Sequence, residues 1–214
     1  MQLSFITIIK NRTNIVVDHD GQKIELKLFE NNLRSLLNIL QPSDQWEYNI
    51  IDFESTDVNM QDFIDTLPKF PNLQFKIHTI PGKFDKGIGL NLGKSVASYP
   101  IVFFLDADML IRTRSLFDDI EQYVMNEHKV FFPLCWYYFN PEHTKGRIRY
   151  APKGNVIQRK ETIMPYVVVG RWGLEDLKNF EYFDKQGLVI RKSYGEQFAH
   201  QWHPDELRHL YYKK

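Results

Sequence analysis

The chain has very little cysteine, no excess of charge of either sign and no long hydrophobic run. Its one cysteine, Cys135, has no second cysteine with which to form an internal disulfide, as is typical of a reducing compartment. The 27 basic and 27 acidic residues cancel, so no global field favours a nucleic acid partner. No stretch approaches the roughly 18 apolar residues of a membrane-spanning helix. These absences predict a cytoplasmic protein without an integral membrane segment, and leave peripheral contact with a membrane open.

What the sequence does have is the length for one domain and a high content of aromatic side chains. Its 214 residues are enough for a substantial core. Aromatic residues make up 14% of the chain, so stacking surfaces for sugars or bases are available, although most aromatic rings are expected in the core. Composition therefore indicates an ordinary globular domain, and its function has to come from motifs.

The stretch Phe84–Leu110 is predicted to carry the functional centre. Its second half contains Pro100–Leu105, a continuous apolar run that is typical of a strand buried on both faces. The run ends in Asp106 and Asp108, and residues two apart share one face of a strand. The two carboxylates can therefore converge at the carboxyl end of a central strand, where ligands bind in open α/β sheets. Because close carboxylates repel each other, the pair predicts a bound cation.

Two neighbouring patterns have plainer interpretations. A second Asp-x-Asp, at residues 18–20, is followed by Gly21 and polar residues, and it is predicted to form a turn. The glycines Gly87, Gly89 and Gly93 are spaced one residue too far apart for the G-x-G-x-x-G dinucleotide fingerprint, and they follow a loop instead of a strand. Close packing of a helix on the sheet and a helix N-terminus that faces phosphate both explain them.

Strands alternate with helices through the first half of the chain. Strands are predicted at Leu3–Ile9, Trp46–Asp52 and Leu73–Ile80, and helices at about Ile24–Leu40 and at Met60–Leu67. This alternation predicts a parallel sheet with right-handed crossovers. The strand ends near Asn11, Asp52, Ile80 and Asp106 are then expected to line one edge of the sheet.

A series of short motifs stands in an order that is found in a known family of enzymes. The motifs are Lys10–Arg12, Ile51–Asp57, Phe84–Gly93, Leu105–Asp108, Gly154–Lys160, Trp172–Asp176 and His200–Pro204. Together they resemble GT-A glycosyltransferases of family 2 type, with similarity to chondroitin-polymerase-like and β-1,4-galactosyltransferase-like members over nearly the whole chain. The resemblance implies an α/β GT-A fold with a mixed, mostly parallel sheet flanked by helices. It also implies one domain over residues 1–214, with a nucleotide-binding half at 1–110 and an acceptor-binding half at 111–214.

The resemblance assigns a metal site. Asp108 would be the direct ligand, Asp106 would lie by the ribose and the metal, and His200 on the last strand would be the second protein ligand. His203, three residues later, is the competing candidate. Carboxylate oxygens and an imidazole suit Mn²⁺, with Mg²⁺ as a substitute.

The resemblance also assigns contacts to the nucleotide of the donor. Asp52 would contact the nucleoside, and Lys86 stands where relatives often carry an arginine near the uracil. Arg12 and Asn91, within the matched motifs, complete the implied nucleotide contacts. Phe53 stands where family members commonly have a second acidic residue.

Sugar transfer from a nucleoside diphosphate also needs a base that takes a proton from the acceptor hydroxyl. Glu175 and Asp176 open a helix predicted over Leu174–Gln186, where the helix dipole favours carboxylates. An isolated Glu-Asp pair would be explained as simple helix charge. With Trp172 and Gly173 directly before this helix, Asp176 is predicted to be the general base and Glu175 an acceptor-binding or supporting carboxylate.

Aromatic residues are predicted to shape the acceptor side. Phe131–Tyr150 is rich in aromatic and basic residues and predicts a β-excursion with a mobile loop. Trp172, with Gly173 and Trp136, is predicted to bind substrate, with the indole of Trp172 as a platform for a sugar ring. About half of the aromatic rings in this region would pack a sheet instead. A closing helix is expected from Pro204.

The sequence therefore predicts an inverting, metal-dependent hexosyl- or N-acetylhexosaminyltransferase. It would move a sugar from a UDP-sugar to a hydroxyl of a glycan or glycoconjugate, as in polysaccharide biosynthesis. Two alternatives stay open. A nucleotidyltransferase acting on a sugar phosphate would release pyrophosphate, and an inactive nucleotide-sugar-binding module, which the departures at Phe53 and Leu177 suggest, would bind without turnover.

Overall fold

A computed structural model describes residues 1–150, 154–162, 174–205 and 207, and at 174 and 175 it describes the backbone only. The strands are β1 (Gln2–Ile9), β2 (Ile15–His19), β3 (Gln22–Leu26), β4 (Gln45–Asp52), β5 (Leu73–Thr79), β6 (Ile101–Phe104), β7 (Met109–Ile111), β8 (Val130–Phe131), β9 (Cys135–Tyr138), β10 (Gly146–Arg149), β11 (Val156–Arg159), β12 (Val189–Ile190) and β13 (Phe198–His200). The helices are α1 (Leu28–Leu37), α2 (Met60–Asp65), α3 (Lys86–Val96), α4 (Ser115–Asp119) and α5 (Leu174–Asp184). A π-helical segment, Ile120–Asn126, continues α4.

The central sheet has seven strands in the order β12-β8-β11-β6-β1-β4-β5. Strands β6, β1, β4 and β5 run parallel, whereas β11 runs antiparallel to β6 and to β8. One face packs against α1, α2 and α4, and the other packs against α3 and α5. The expected fold, a mixed and mostly parallel sheet flanked by helices, is therefore confirmed. A second sheet, in the order β10-β9-β13-β7, stands beside it.

The first half of the chain follows the prediction closely, with one exception. Strands β1, β4, β5 and β6 and helix α2 lie within two residues of the predicted bounds. The helix predicted from Ile24 is wrong at its start, because residues 22–26 form β3, antiparallel to β2, and α1 begins only at Leu28. The predicted turn lies at Asp20 and Gly21, which join these two strands at positive φ of 52° and 77°, whereas Asp18 and His19 still belong to β2.

The second half contains the predicted β-excursion and the predicted helix. Strands β9 and β10 form an antiparallel hairpin, and α5 covers all but the last residues of the predicted range. The closing helix expected from Pro204 falls mainly on residues outside the described part. None of the helices in the described ranges combines the length and the apolar character needed to cross a bilayer.

The glycines of α3 let the helix approach β1 closely. A Cβ atom at Gly93 would lie 2.2 Å from Cγ2 of Ile6, and one at Gly89 would lie 2.8 Å from Cγ1 of Ile8. Asp85 caps the helix by accepting a hydrogen bond from the N–H of Ile88 at 3.0 Å. Close packing on the sheet therefore accounts for Gly89 and Gly93, and it fixes where the N-terminus of α3 lies.

We expect Gly93→Ala to lower the free energy of unfolding by about 1–3 kcal/mol, because the new methyl group collides with a stiff β-branched side chain. The gain in helix propensity, about 1 kcal/mol, opposes this loss. Urea unfolding measures the difference. Ser95→Ala, at an exposed position of the same helix, is the control and should be nearly neutral. Equal or greater stability of Gly93→Ala would contradict the packing argument.

The amino-terminal half of β4 carries a buried carboxylate. Glu47 is 1% exposed, and it accepts hydrogen bonds from Ser4 Oγ at 2.6 Å and from the N–H of Ser98 at 2.5 Å. Lys76 Nζ lies 2.6 Å from its other oxygen. Burial alone would raise the pKa of Glu47, but the hydrogen bonds from Lys76, Ser4 and Ser98 outweigh it and lower the pKa from 4.5 to about 2.

This lowered pKa makes the fold sensitive to acid. The ionised Glu47 stabilises the fold above pH 4.5, and this contribution is lost as the pH falls from 4.5 towards about 2. This lowering of the pKa of Glu47 corresponds to roughly 3 kcal/mol of folding stability. We expect Glu47→Gln to be less stable by that order at pH 7 and to lack this part of the acid dependence in urea titrations. Glu25→Gln, an exposed control on β3, should keep the wild-type dependence. Equal acid slopes for Glu47→Gln and wild type would rule out this contribution.

Candidate functional site

The carboxyl ends of the parallel strands meet at one edge of the central sheet, as expected. Asp52 ends β4 and is 6% exposed, and its Oδ1 accepts hydrogen bonds from the N–H and Oγ of Ser55 at 3.0 and 2.6 Å. Beside it, Asn11 accepts a hydrogen bond from the N–H of Thr56 at 2.7 Å and donates its own N–H to Ser55 at 2.9 Å. The loops that follow β1 and β4 are therefore tied together beside Asp52.

Three predicted site residues meet at this edge in a buried ion cluster, which we call the lysine cluster. Lys86 opens α3, its side chain is 8% exposed, and its Nζ lies 3.0 Å from Asp106 Oδ1 and 3.3 Å from Asp176 Oδ2. A buried ammonium group is tolerated when such carboxylates pair with it. A Cβ atom at Gly154 would lie 2.2 Å from Lys86 Nζ and 3.0 Å from both carboxylate oxygens of Asp106. The cluster therefore leaves room only for glycine at that position.

A second cluster lies at the other end of the turn that follows β6. It consists of Asp108, His200 and His203, and we call it the histidine cluster. The Nε2 atoms of both histidines lie 3.3 Å from Asp108 Oδ2, and one possible ligand atom from each residue lies within 4.8 Å of the others. Among the described residues, these three form the group of His, Cys, Asp or Glu side chains that is close enough together to hold one metal ion. The structure therefore brings together the predicted ligand Asp108 and both competing histidines.

Backbone contacts hold the segment between the two histidines. The N–H of Gln201 donates to the carbonyl oxygen of Asp108 at 2.9 Å, and its side-chain amide donates to the carbonyl oxygen of Leu28 at 2.8 Å. The N–H of Trp202 donates to Nε2 of His143 in the β9–β10 loop at 3.1 Å. The segment is thus anchored to the turn after β6, to α1 and to the hairpin loop.

The donor atoms of the histidine cluster fit a divalent cation. Asp108 Oδ1 and His200 Nδ1 are buried and have no hydrogen-bond partner among the described residues. His203 Nδ1 lies 3.0 Å from the carbonyl oxygen of Pro204, to which only an N–H can donate, so Nε2 is the ring nitrogen that His203 can offer to a cation. One carboxylate and two imidazoles suit Mn²⁺ or another first-row transition metal.

Electrostatics keep the carboxylate of this cluster ionised. Burial alone would raise the pKa of Asp108, but the positive charges and hydrogen bonds of His200 and His203 outweigh it and hold the pKa well below its ordinary value. The carboxylate is therefore available as an anionic ligand at neutral pH.

Asp106 does not lie in the histidine cluster. Its carboxylate pairs with Lys86, its backbone N–H donates to Asn155 Oδ1 at 2.9 Å, and the side chain of Asn155 also reaches Asp106 Oδ2 at 3.4 Å. The expected convergence of Asp106 and Asp108 on one point is therefore not seen, because the turn after β6 sends the two side chains to different partners. A contact between Asp106 and a metal stays a prediction.

The other two nucleotide-contact candidates lie in the loop after β1 and on α3. Arg12 follows β1 and donates from Nη2 to the carbonyl oxygen of Leu207 at 2.8 Å, so it links the first loop to the carboxyl-terminal segment. Asn91 lies on α3 with a partly exposed side chain. Their contacts with a nucleotide stay predictions.

The acceptor candidates are only partly described. Trp172 and Gly173 lie outside the described residues, as does the side chain of Glu175. Trp136 packs against a hydrophobic cluster that includes Tyr138, on the face of β9 opposite to the histidine cluster. The structure therefore does not bring Trp136 to the metal candidate.

The aromatic ring beside the metal candidate belongs to Tyr137, which sequence reasoning did not select. Its ring stacks on His200 with centroids 4.5 Å apart and planes 22° apart. Strand alternation from Trp136 would have placed Tyr137 on the opposite face, but only the pairing of β9 with β13 shows which face meets the histidines.

Comparison with known proteins identifies the family. Residues 23–195 match the glycosyl transferase family 2 domain, which is most of the chain, so the chain belongs to that family and its fold is the GT-A glycosyltransferase fold. A search of curated proteins finds no match.

Several solved structures share the fold. TarS residues 1–349 from S. aureus in complex with UDP has 16% identity and a TM-score of 0.68, with 97% of this chain and 62% of that chain covered. The same protein in complex with UDP-GlcNAc has 16% identity and a TM-score of 0.68, with 100% and 62% covered. The mannosyltransferase PcManGT from Pyrobaculum calidifontis in complex with GDP-Man and Mn²⁺ has 14% identity and a TM-score of 0.67, with 95% and 57% covered. The chain thus spans about three fifths of the length of these proteins.

We expect His200→Asn and His203→Asn each to weaken Mn²⁺ binding by more than about tenfold, because each removes a ligand and not merely an outer partner. Titration calorimetry measures the affinity. Binding should also weaken as the pH falls, because protons compete with the cation for the ligand atoms. His128→Asn is the matched control, since His128 is exposed and its φ of 56° suits asparagine. Unchanged binding by His203→Asn would leave His200 as the histidine ligand.

Proposed function

We propose that this chain catalyses an inverting, metal-dependent transfer of a sugar from a UDP-sugar to a hydroxyl of a glycan or glycoconjugate. The observation that carries the proposal is the turn from Asp106 to Asp108. It belongs to the lysine cluster at one end and to the histidine cluster at the other, so a candidate base and a candidate metal site adjoin at the carboxyl edge of the sheet.

The donor half of the site would bind the nucleotide and its diphosphate. A divalent ion held by Asp108, His200 and His203 would supply Lewis-acid stabilisation of the departing diphosphate. Lys86 adds a positive charge at the same edge, where it would favour negative charge that develops in the transition state. Asp52 is proposed to contact the nucleoside, and further donor contacts are proposed for Arg12, Asn91 and Asp106, the last beside the ribose and the metal.

Asp176 is the proposed general base. It lies in the first turn of α5, it is 8% exposed, and Lys86 holds its carboxylate at 3.3 Å. It would take the proton of the acceptor hydroxyl while the hydroxyl oxygen bonds to the anomeric carbon and the bond from that carbon to the diphosphate breaks on the opposite face. Glu175, Trp172 and Gly173, which adjoin Asp176 in sequence, are proposed to bind the acceptor.

The structural neighbours support the choice of donor and ion. The structures of TarS are complexes with UDP and with UDP-GlcNAc, and the structure of PcManGT is a complex with GDP-Man and Mn²⁺. A sugar nucleotide donor, a hexose or N-acetylhexosamine as the transferred sugar, and Mn²⁺ as the ion are consistent with these complexes. Family membership favours glycosyl transfer over the transfer of a nucleotidyl group.

We expect Asp176→Asn to reduce sugar transfer by about 10²–10⁴-fold, because the amide cannot accept the proton of the hydroxyl. UDP binding in the presence of Mn²⁺ should stay within about twofold of wild type, because the amide keeps the shape of the carboxylate and Asp106 still pairs with Lys86. UDP release from a panel of UDP-sugars, with mixed glycans as acceptors, measures turnover, and calorimetry measures binding. Asp184→Asn, at the exposed end of the same helix, is the matched control.

Each outcome separates one part of the proposal from the rest. Wild-type turnover by Asp176→Asn would exclude it as the base. UDP binding without turnover on any sugar or glycan would favour a binding module. Release of pyrophosphate from a nucleoside triphosphate and a sugar phosphate would identify a nucleotidyltransferase.

A further inference from the structure

One face of the β9–β10 hairpin carries aromatic rings and guanidinium groups that begin at the histidine cluster. The ring of Tyr137 stacks on His200, and the ring centroid of Phe139 lies 6.0 Å further along. The guanidinium carbon of Arg149 lies 5.2 Å from the centroid of Tyr137, and that of Arg147 lies 5.5 Å from the centroid of Phe139. We call Tyr137, Phe139, Arg147 and Arg149 the arginine strip.

Strand geometry explains why these four side chains share a face. Arg147 pairs with Tyr137 in the antiparallel register, and residues two apart on each strand point the same way. Each arginine lies over the aromatic ring that is diagonal to it across the hairpin. Contacts of this kind hold a guanidinium group by its flat face. Its N–H edge is then available to a ligand.

The positive charge of the strip is not neutralised by the protein. No carboxylate in the described ranges lies within ion-pair distance of Arg147 or Arg149. Lys145 adds a third cation in the preceding loop, where the negative charge of Glu142 offsets it. A chain with a formal net charge of +0 therefore has the local positive charge of Arg147 and Arg149 beside its proposed metal site.

The strip is open to solvent along its outer half. Phe139 is 47% exposed although it is a large apolar side chain, and Arg147 is exposed beside it. Exposed rings with adjacent guanidinium groups suit a ligand that presents both sugar faces and oxyanions, because the rings stack on apolar faces and arginine binds carboxylate or phosphate through two parallel hydrogen bonds.

We propose that the arginine strip binds the acceptor and that this acceptor is an anionic glycan or polyol chain that carries carboxylates or phosphodiesters at intervals. The proposal rests on the proposed function, because the strip starts at the cluster where the donor diphosphate would bind. Two arginines that are two residues apart on a strand lie roughly 6.5–7 Å apart along it. They can therefore contact successive anionic groups, while Tyr137 and Phe139 contact the units between them.

The test measures binding of defined polymers to the full chain by titration calorimetry, without donor. The polymers are polygalacturonate, which carries carboxylates, a glycerol phosphate polymer, which carries phosphodiesters, and neutral dextran. We expect one or both anionic polymers to bind, and dextran not to bind. Binding should weaken as salt is raised, because exposed charges are screened. The preferred anionic polymer then identifies the source of the oxyanion.

The decisive variant is Arg147→Gln with Arg149→Gln, which should weaken binding of the anionic polymer at least tenfold. Binding of UDP with Mn²⁺ should stay within twofold of wild type. Arg147→Lys with Arg149→Lys keeps the charge, so it should weaken binding of the anionic polymer less than the double glutamine variant does. Lys23→Gln with Lys69→Gln removes the same charge at exposed positions away from the hairpin and should change nothing. Circular dichroism and the thermal midpoint confirm that each variant is folded.

Several results would overturn the proposal. They are failure of both anionic polymers to bind, equal binding of dextran, and unchanged polymer binding by the double glutamine variant. Loss of UDP binding by that variant would assign the arginines to the donor and would overturn the proposal as well. Absence of UDP binding in the wild type is a different result. It would contradict the proposed function alone, since polymer binding is measured without the donor.

Discussion

Strand β6 is buried on both faces, and this constraint decides where the chain can present charged side chains. A charge within the strand would be buried without a partner, so the polar residues come only where the strand ends. Asp106 is held there by the side chain of Asn155 and by a turn in which the N–H of Met109 donates to its carbonyl oxygen at 3.2 Å. That turn carries the chain from the central sheet into the second sheet. Asp106 and Asp108 therefore belong to two different clusters. The lysine cluster lies beside the central sheet, and the histidine cluster lies beside the second sheet.

The fold could be predicted where one local signal dominated. The continuous apolar run at Pro100–Leu105 identified β6 correctly, since such runs are typical of strands covered on both faces. The predicted start of α1 was wrong because two patterns follow each other without a break. Ile24, Leu26 and Leu28 alternate as in a strand, whereas Leu33 continues a helical spacing, and the prediction assigned both stretches to one long helix. The Asp20–Gly21 pair, a strong hairpin signal, indicated a turn but not the strands on either side of it.

The site could be predicted as a set of residues but not as an arrangement. Sequence order placed Asp108 with a histidine, but His203 follows His200 by three residues, and two residues of a strand at that spacing point to opposite faces, so local spacing could not choose between them. The irregular backbone after β13 brings both rings to one carboxylate. Lys86 meets Asp176 across 90 residues of sequence, a contact that only the packing of α3 and α5 on the same sheet face creates.

The distribution of charge separates residues that hold the site from residues that are free to meet a ligand. Lys86 and Asp108 are largely buried, and each is paired with oppositely charged or hydrogen-bonding groups, since removal of one partner from a buried pair leaves an uncompensated charge at high cost. Arg147 and Arg149 stand at the rim, where water screens them and no such pairing is needed. A substitution at the buried clusters therefore changes both structure and chemistry, whereas one at the rim changes recognition with little effect on the fold. An amide replacement that keeps the shape of a buried carboxylate is for this reason more informative than truncation to alanine.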